Sequence, residues 1–248
     1  MNGVDLWLAV FLTLFICSIA GLLNGMIVAL IKVQALVVTL GTMFLYSGIA
    51  LVLSGHASTS GYEGISGFPD AFVQIANGIT FGIPNQLYFI AASFVVFGFL
   101  LHYTKYGRHV FLVGINKQAA IYSGIKSKWT MMSTYMIAGL GGGISGVILT
   151  SYFSSARSDL GSDAILPVIT AVVLGGTSIL GGRGTVLGTM LASLIVGFMN
   201  YGLQMSGMSG EQTTLIVGFI LVLAVFMRQS NLHKLYRRKK EKIEGEIR

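Results

Sequence analysis

Residues 105–128 read KYGRHVFLVGINKQAAIYSGIKSK, with five basic side chains (Lys105, Arg108, Lys117, Lys126 and Lys128) and no acidic one. Uncharged runs flank this stretch, Ala71–Thr104 before it and Trp129–Ala156 after it. A purely basic island between two membrane-length apolar runs marks a cytoplasmic loop, because lysine and arginine are retained on the cytoplasmic side. Every other segment can be oriented from this loop.

Charge is scarce elsewhere. Of 248 residues, 54% are hydrophobic and 10% charged, whereas a soluble domain carries roughly 25% charged residues. Further uncharged stretches cover 6–31, 33–62, 164–182 and 184–210, with a shorter one at 212–227. A spanning helix needs about 20 such residues, and a β-barrel would show short alternating segments instead. The fold class is all-α: a polytopic membrane protein with about seven transmembrane helices. The net charge of +7 does not indicate a nucleic-acid partner. Five positives lie in the 105–128 loop and six in 234–242, beside spans instead of over a folded polar surface. The organisation read here is one membrane domain, 1–230, with a cytoplasmic loop at 105–129, and a basic, mixed-charge tail at 231–248.

With 105–128 fixed inside, the span 85–104 runs inward, and the stretch 54–70, with Glu63 and Asp70 but no Lys or Arg, lies outside. The span 34–53 runs outward, Lys32 marks an inner turn, and the first span, 6–30, starts outside. Going forward, 130–151 runs outward, 152–163 lies outside, 164–182 returns, Arg183 marks an inner turn, and spans near 185–205 and 209–228 follow. The tail ends inside. This threading places 15 of the 16 Lys and Arg residues inside, Arg157 being the exception. Agreement across separate loops is the argument, since each loop could have failed. An exterior N-terminus without a basic leader suggests missing preceding helices.

Two segments read as irregular. The stretch 71–84 is apolar but contains Gln74, Asn77, Gly78, Gly82 and Pro84, and is expected to form an interfacial or re-entrant element on the outer side. The stretch 164–188 contains Pro167, Gly175-Gly176 and Gly181-Gly182-Arg183-Gly184, so a broken or short helix is expected. Glycines four apart (Gly21 and Gly25, Gly139 and Gly143, Gly142 and Gly146, Gly184 and Gly188) let helix backbones approach closely where lipid offers no hydrophobic drive. They serve packing within one subunit or between subunits. Cys17 reads as a small apolar packing residue.

No span carries a central charge, which disfavours ion-coupled carriers. No phosphate-binding Gly-x-x-x-x-Gly-Lys-[Ser/Thr] loop is present, and no histidine pair has metal-ligand spacing. No nucleophile–base arrangement stands out, so neither an enzyme nor a cofactor is expected: the reading names no catalytic, cofactor or metal residues.

Several motifs in order carry a family resemblance. They are Gly21-Leu-Leu-Asn-Gly25, Thr39-Leu40-Gly41-Thr42, Phe81-Gly82-Ile83-Pro84 and Thr104-Lys-Tyr-Gly107-Arg108, then Gly114-Ile-Asn116-Lys-Gln118-Ala119-Ala120-Ile-Tyr-Ser123-Gly124-Ile125 and Val173 through Gly184. The chain resembles the permease subunit of bacterial ribose-type sugar ABC importers. The resemblance implies a ten-helix fold, of which this chain holds four spans after the docking loop but three before it, so it looks shortened at the N-terminus. It implies an inner-membrane location. It also implies three partners: a separate ABC ATPase subunit, a periplasmic solute-binding protein, and a second permease subunit in a homo- or heterodimer. The expected function is the translocation path for a monosaccharide or similar small polar solute. An ion-coupled secondary carrier and a truncated, non-transporting remnant are the competing readings.

The resemblance assigns ATPase docking to Gly114, Asn116, Gln118, Ala119, Ala120, Gly124 and Ile125. In this assignment Asn116 caps a short helix, small Ala119, Ala120 and Gly124 permit close approach, and Gln118 stands where the importer motif often has Glu. Candidate path residues are Thr39, Gly41, Thr42, Gly175, Gly176, Thr177 and Asn200. Candidate docking residues for the binding protein are Arg157, Asp159 and Asp163.

Overall fold

A computed structural model of the chain describes residues 5–57, 64–179, 181–223 and 226. Glu63, His233 and the tail 231–248 lie outside the described residues. Two compact units divide between Ser162 and Asp163.

The first unit is built around helix α7, Ser127–Phe153. At about 1.5 Å per residue it is roughly 40 Å long, enough to cross a hydrocarbon core of about 30 Å and extend beyond it. Helix α1, Leu6–Met26, runs along it and continues as a π-helical turn, Ile27–Ile31. The two helices meet backbone to backbone. A Cβ on Gly21 would strike the Tyr135 carbonyl oxygen, and one on Gly139 would strike that of Cys17. A Cβ on Gly25 would lie 2.9 Å from Met132 Cα, and one on Gly143 would lie 2.9 Å from Cys17 Cβ. Position rises along α1 as it falls along α7, so the pair is antiparallel, as the charge threading requires. Several of the glycines read from spacing thus serve packing inside this chain, and Cys17 fills the groove beside Gly143.

Lys32 adopts a left-handed conformation (φ 63°) and ends the π-helical turn, forming the turn expected there. Helix α2, Ala35–Ala57, follows and is tied to α1 through Tyr46, whose hydroxyl donates to the Ala20 carbonyl at 3.3 Å.

Segment 70–84 folds against the far end of α7. Helix α3, Asp70–Asn77, has eight residues, about 12 Å of helix, too short to cross. It buries Phe72 and Ala76. Ser151 of α7, fully buried, donates to the Phe72 carbonyl at 2.7 Å and accepts from the Ala76 amide at 3.0 Å. Asn77 donates to the carbonyls of Ser151 and Tyr152. Strand β1 (Ile65–Ser66) pairs with β4 (Ser155–Ala156), joining two loops that the threading places on one side. Strands β2 (Ile79–Thr80) and β3 (Ile83–Pro84) form a hairpin. Its two turn residues, Phe81 and Gly82, both have positive φ, as a two-residue I′ turn requires. For phenylalanine that conformation costs roughly 1–2 kcal/mol. Helix α4, Asn85–His102, returns toward the start of α7.

In the second unit, helix α8, Ile165–Leu174, covers ten residues, about 15 Å. The expected span 164–182 is therefore a half-length helix, stopped where Gly176 turns to φ 91°. Pro167 sits in its first turn, where proline is tolerated. Helix α9, Val186–Met205, packs antiparallel on α8 around Ala171, Ala192 and Val196. Helix α10 covers Gly210–Leu223. Among the described residues, five of the seven expected spans appear as helices long and apolar enough to cross a membrane; α8 is shorter, and the described part of the last expected span is Gly210–Leu223.

Gly139→Ala is expected to destabilise the protein by roughly 1–3 kcal/mol, because the new methyl meets backbone that cannot rotate away. Gly98→Ala, whose Cβ has open space around it, should leave stability unchanged or slightly higher. Thermal unfolding in detergent compares the two.

Candidate functional site

The N-terminal end of α7 carries two short helices. The corner after α4 is tight because Gly107 lies on the Leu101 backbone, leaving no room for a Cβ. Helix α5, Lys105–Ile115, is capped by Thr104, whose Oγ1 accepts from the Gly107 amide at 3.2 Å. Tyr106 ties α5 to α7: its hydroxyl lies 3.1 Å from Ser133 Oγ and 3.2 Å from Thr134 Oγ1.

Helix α6, Lys117–Tyr122, follows directly. Asn116 Oδ1 accepts from the amides of Gln118 (3.0 Å) and Ala119 (3.1 Å), which is the cap read from the sequence. Gly124, at φ 79°, turns the chain so that the Ile125 amide reaches the Ala120 carbonyl at 3.0 Å. A left-handed residue after the last turn is the usual way to satisfy terminal carbonyls. The helix packs on α5 and α7.

Asn116, Gln118, Ala119 and Gly124 are exposed, and Ile125 is half-buried. Gly114 is half-buried in the last turn of α5. Ala120 is buried. Its small size therefore permits close packing of α6 on its own subunit, not approach by a partner. Tyr122 is 89% exposed and projects from the outer face of α6, with exposed Ile115 and Ile121 nearby in sequence. Sequence reasoning passed over Tyr122. The available signal was an aromatic next to Ser123-Gly124 in a loop with no other reason to hold one.

The remaining candidates divide by unit. On α2, the hydroxyls of Thr39 and Thr42 donate to the Ala35 carbonyl (3.0 Å) and the Val38 carbonyl (2.9 Å) of their own helix, and Gly41 faces open space. In the second unit, Gly175 is a contact point: a Cβ there would lie 2.5 Å from Thr189 Cα, and Gly188 reciprocates against the Gly175 carbonyl. Thr177 Oγ1 lies 3.2 Å from Thr189 Oγ1. The Ser178 amide bonds the Arg183 carbonyl at 2.8 Å. Gly175, Gly176 and Thr177 thus build the turn between α8 and α9. Asn200 is half-buried on α9, in its second half and on the face that also holds Ala192 and Val196.

Arg157 is exposed after β4 and grips Asp159, its Nε donating to Oδ1 at 2.9 Å and its Nη2 to Oδ2. This hydrogen bonding, with the attraction of the opposite charge, lowers the Asp159 carboxyl and raises the Arg157 guanidinium from their usual values. A depressed carboxylate stays ionised until the pH falls through its lowered value. The pair should therefore hold from about pH 5 to pH 8, and transport over that interval should titrate identically in the native protein and in Asp159→Asn. Asp163 lies in a 3-10 turn, Ser162–Ala164.

A family model described as the permease component of a branched-chain amino acid transport system matches residues 1–225. The chain is 44% identical over 233 residues to proteins named autoinducer 2 import system permease protein LsrD, from Escherichia coli strains SMS-3-5 and K12 and from Shigella flexneri. The match covers 94% of this chain and 71% of each relative. No solved structure matches.

Asn116→Ala is expected to cost about 1 kcal/mol of α6 stability. Hydrogen exchange at the Gln118 and Ala119 amides should speed up roughly fivefold, while Asn116→Asp, which keeps the acceptor, should not change it.

Proposed function

Since the chain belongs to the permease-component family of branched-chain amino acid transport systems, we propose that its loop 105–129 docks on a separate ATPase through the exposed face of α6. The protein is a membrane-spanning permease of an ABC importer, a transport component and not an enzyme. Supporting the docking reading is one observation above the others: α6 is capped at both ends, with an exposed aromatic, Tyr122, on its free side. A short rigid helix can move as one body with the surface that grips it, and Tyr is among the residues that most often anchor interfaces. Gln118, Ala119 and Gly124 complete the contacting face. Ala120, Asn116, Gly114 and Ile125 support it from within the loop.

Tyr106 continues the coupling, because a shift of α5 and α6 pulls on Ser133 and Thr134 of α7. The outer loops receive a periplasmic solute-binding protein, with Arg157 and Asp159 on the first unit and Asp163 on the second as polar contacts. Thr39, Gly41 and Thr42 of α2 line the path; so, within the second unit, does Asn200, and Gly175, Gly176 and Thr177 supply a hinge between α8 and α9. The protein works with a second permease subunit, as a homo- or heterodimer. In the orientation derived from the basic loops the N-terminus is periplasmic and the C-terminus cytoplasmic. Since its relatives are named for autoinducer 2 import, the solute proposed here is autoinducer 2 or a monosaccharide of similar size and polarity. Uptake of labelled autoinducer 2 and ribose by proteoliposomes holding the complete system tests this; transport of neither overturns the solute assignment.

Tyr122→Ala should weaken co-purification with the ATPase by roughly tenfold or more, as truncation of an interface anchor does. Ala119→Arg should do the same by steric block. Membrane insertion should be unaffected in both. Unchanged association in both variants would sink the docking assignment.

A further inference from the structure

The β2–β3 hairpin is a rigid apolar post. Phe81, at its tip, is 95% exposed, and Ile79 and Ile83 beside it are 72% and 42% exposed. The hairpin does not swing freely. Thr80 Oγ1 donates to Asn85 Oδ1 at 2.7 Å, and Asn85 Nδ2 donates to the Gln74 carbonyl at 2.9 Å. The Asn85 amide reaches the Gly78 carbonyl at 3.0 Å. The Tyr88 hydroxyl donates to the Thr80 carbonyl at 3.0 Å.

These bonds also set the hairpin's height. Tyr88 lies in the first turn of α4, so Thr80 is held level with that turn, not projecting far beyond it. Helix α4 has 18 residues, about 27 Å, close to the ~30 Å hydrocarbon thickness. A helix of that length crossing the core has its first turn at the core's edge. None of the most apolar window of α4 is buried within the protein. Exposed Leu87 and Tyr88 join the exposed apolar surface of α4 to Ile79, Phe81 and Ile83 without a charge between, since 71–104 is uncharged. A soluble partner would be met by a polar rim around an apolar centre; here the apolar surface runs unbroken into a membrane span.

We propose that the 79–84 hairpin is a membrane-surface anchor, with Phe81 and Ile79 inserted at the boundary between headgroups and acyl chains of the leaflet that α4 enters. Surface-lying elements bury Trp, Phe and Leu at that boundary, and a braced β-turn brings Phe81 to it without the ordering cost of a mobile loop. The anchor holds α3 and the start of α4 at a constant depth.

Phe81→Trp, in a background with Trp7→Phe and Trp129→Phe, tests this in vesicles of phosphatidylcholine and phosphatidylglycerol containing brominated lipids. The expected result is a large loss of the introduced tryptophan's emission with bromines near the glycerol end, a smaller loss with bromines near the chain terminus, and protection from aqueous iodide. Ile79→Trp, in an extended strand, gives the same reading should the turn not tolerate tryptophan. Iodide quenching without bromolipid quenching in both variants overturns the proposal. So does protection that appears only when a solute-binding protein is added, or only at high protein density, as a contact between copies would give. None of these readings depends on transport, so the anchor and the importer assignment fail separately.

Discussion

Two polypeptide backbones in contact organise the first unit. At Gly21 and Gly139 there is no space for a side chain on either helix, and α1 and α7 lie together over several turns. In lipid, apolar side chains gain nothing by leaving their surroundings, so association rests on close dispersion contact and a few hydrogen bonds. Glycine maximises the first of these. Once α1 is seated, α7 becomes a fixed post longer than the hydrocarbon core is thick, with both ends protruding, and each end collects a different set of short elements. α3 and the β1–β4 pair attach at one end; α5 and α6 attach at the other.

The attachments at the two ends differ in kind. Ser151 meets α3 through a fully buried hydroxyl that both donates and accepts, where water has no access to replace either bond. Tyr106 joins α5 to α7 through hydroxyls that are part-buried or exposed, and each of these can find water instead. The first junction is stiff and the second adjustable. The docking proposed for α6 would use the adjustable junction and leave the stiff one undisturbed.

The helical runs and their relative directions were legible in the sequence, because composition reports whether a segment meets lipid or water. The antiparallel α1–α7 pair and the β1–β4 pairing agree with polarities derived from lysine and arginine alone. The Asn116 cap was legible too, since capping is a local interaction. Which way a short helix turns its residues was not. Ala119 and Ala120 are chemically identical neighbours, one exposed and one buried, and six residues are too few for periodicity to separate them. The glycines after Leu174 announced an interruption of α8, but not that the Ser178 amide and Arg183 carbonyl would close a compact turn. Phe81 was unreadable for another reason: a phenylalanine at positive φ contradicts local preference and is fixed by the bonds that brace the hairpin.

The hydroxyls of the spans bear on how a polar solute could pass. Thr39 and Thr42, like Thr13 and Thr170, donate to carbonyls in the preceding turn of their own helices. A hydroxyl so engaged has used its proton but keeps acceptor lone pairs. Along the path proposed for α2, the protein therefore offers acceptors to the O–H groups of a sugar-like solute without leaving a donor unsatisfied when the solute is absent. Each contact is a single neutral hydrogen bond, worth about 1 kcal/mol net. Binding of that strength orients a solute without trapping it, and passage requires sites that release as readily as they receive. Charged residues would bind more tightly and resist release, which gives a physical reason for a transport subunit whose spans carry hydroxyls and glycines.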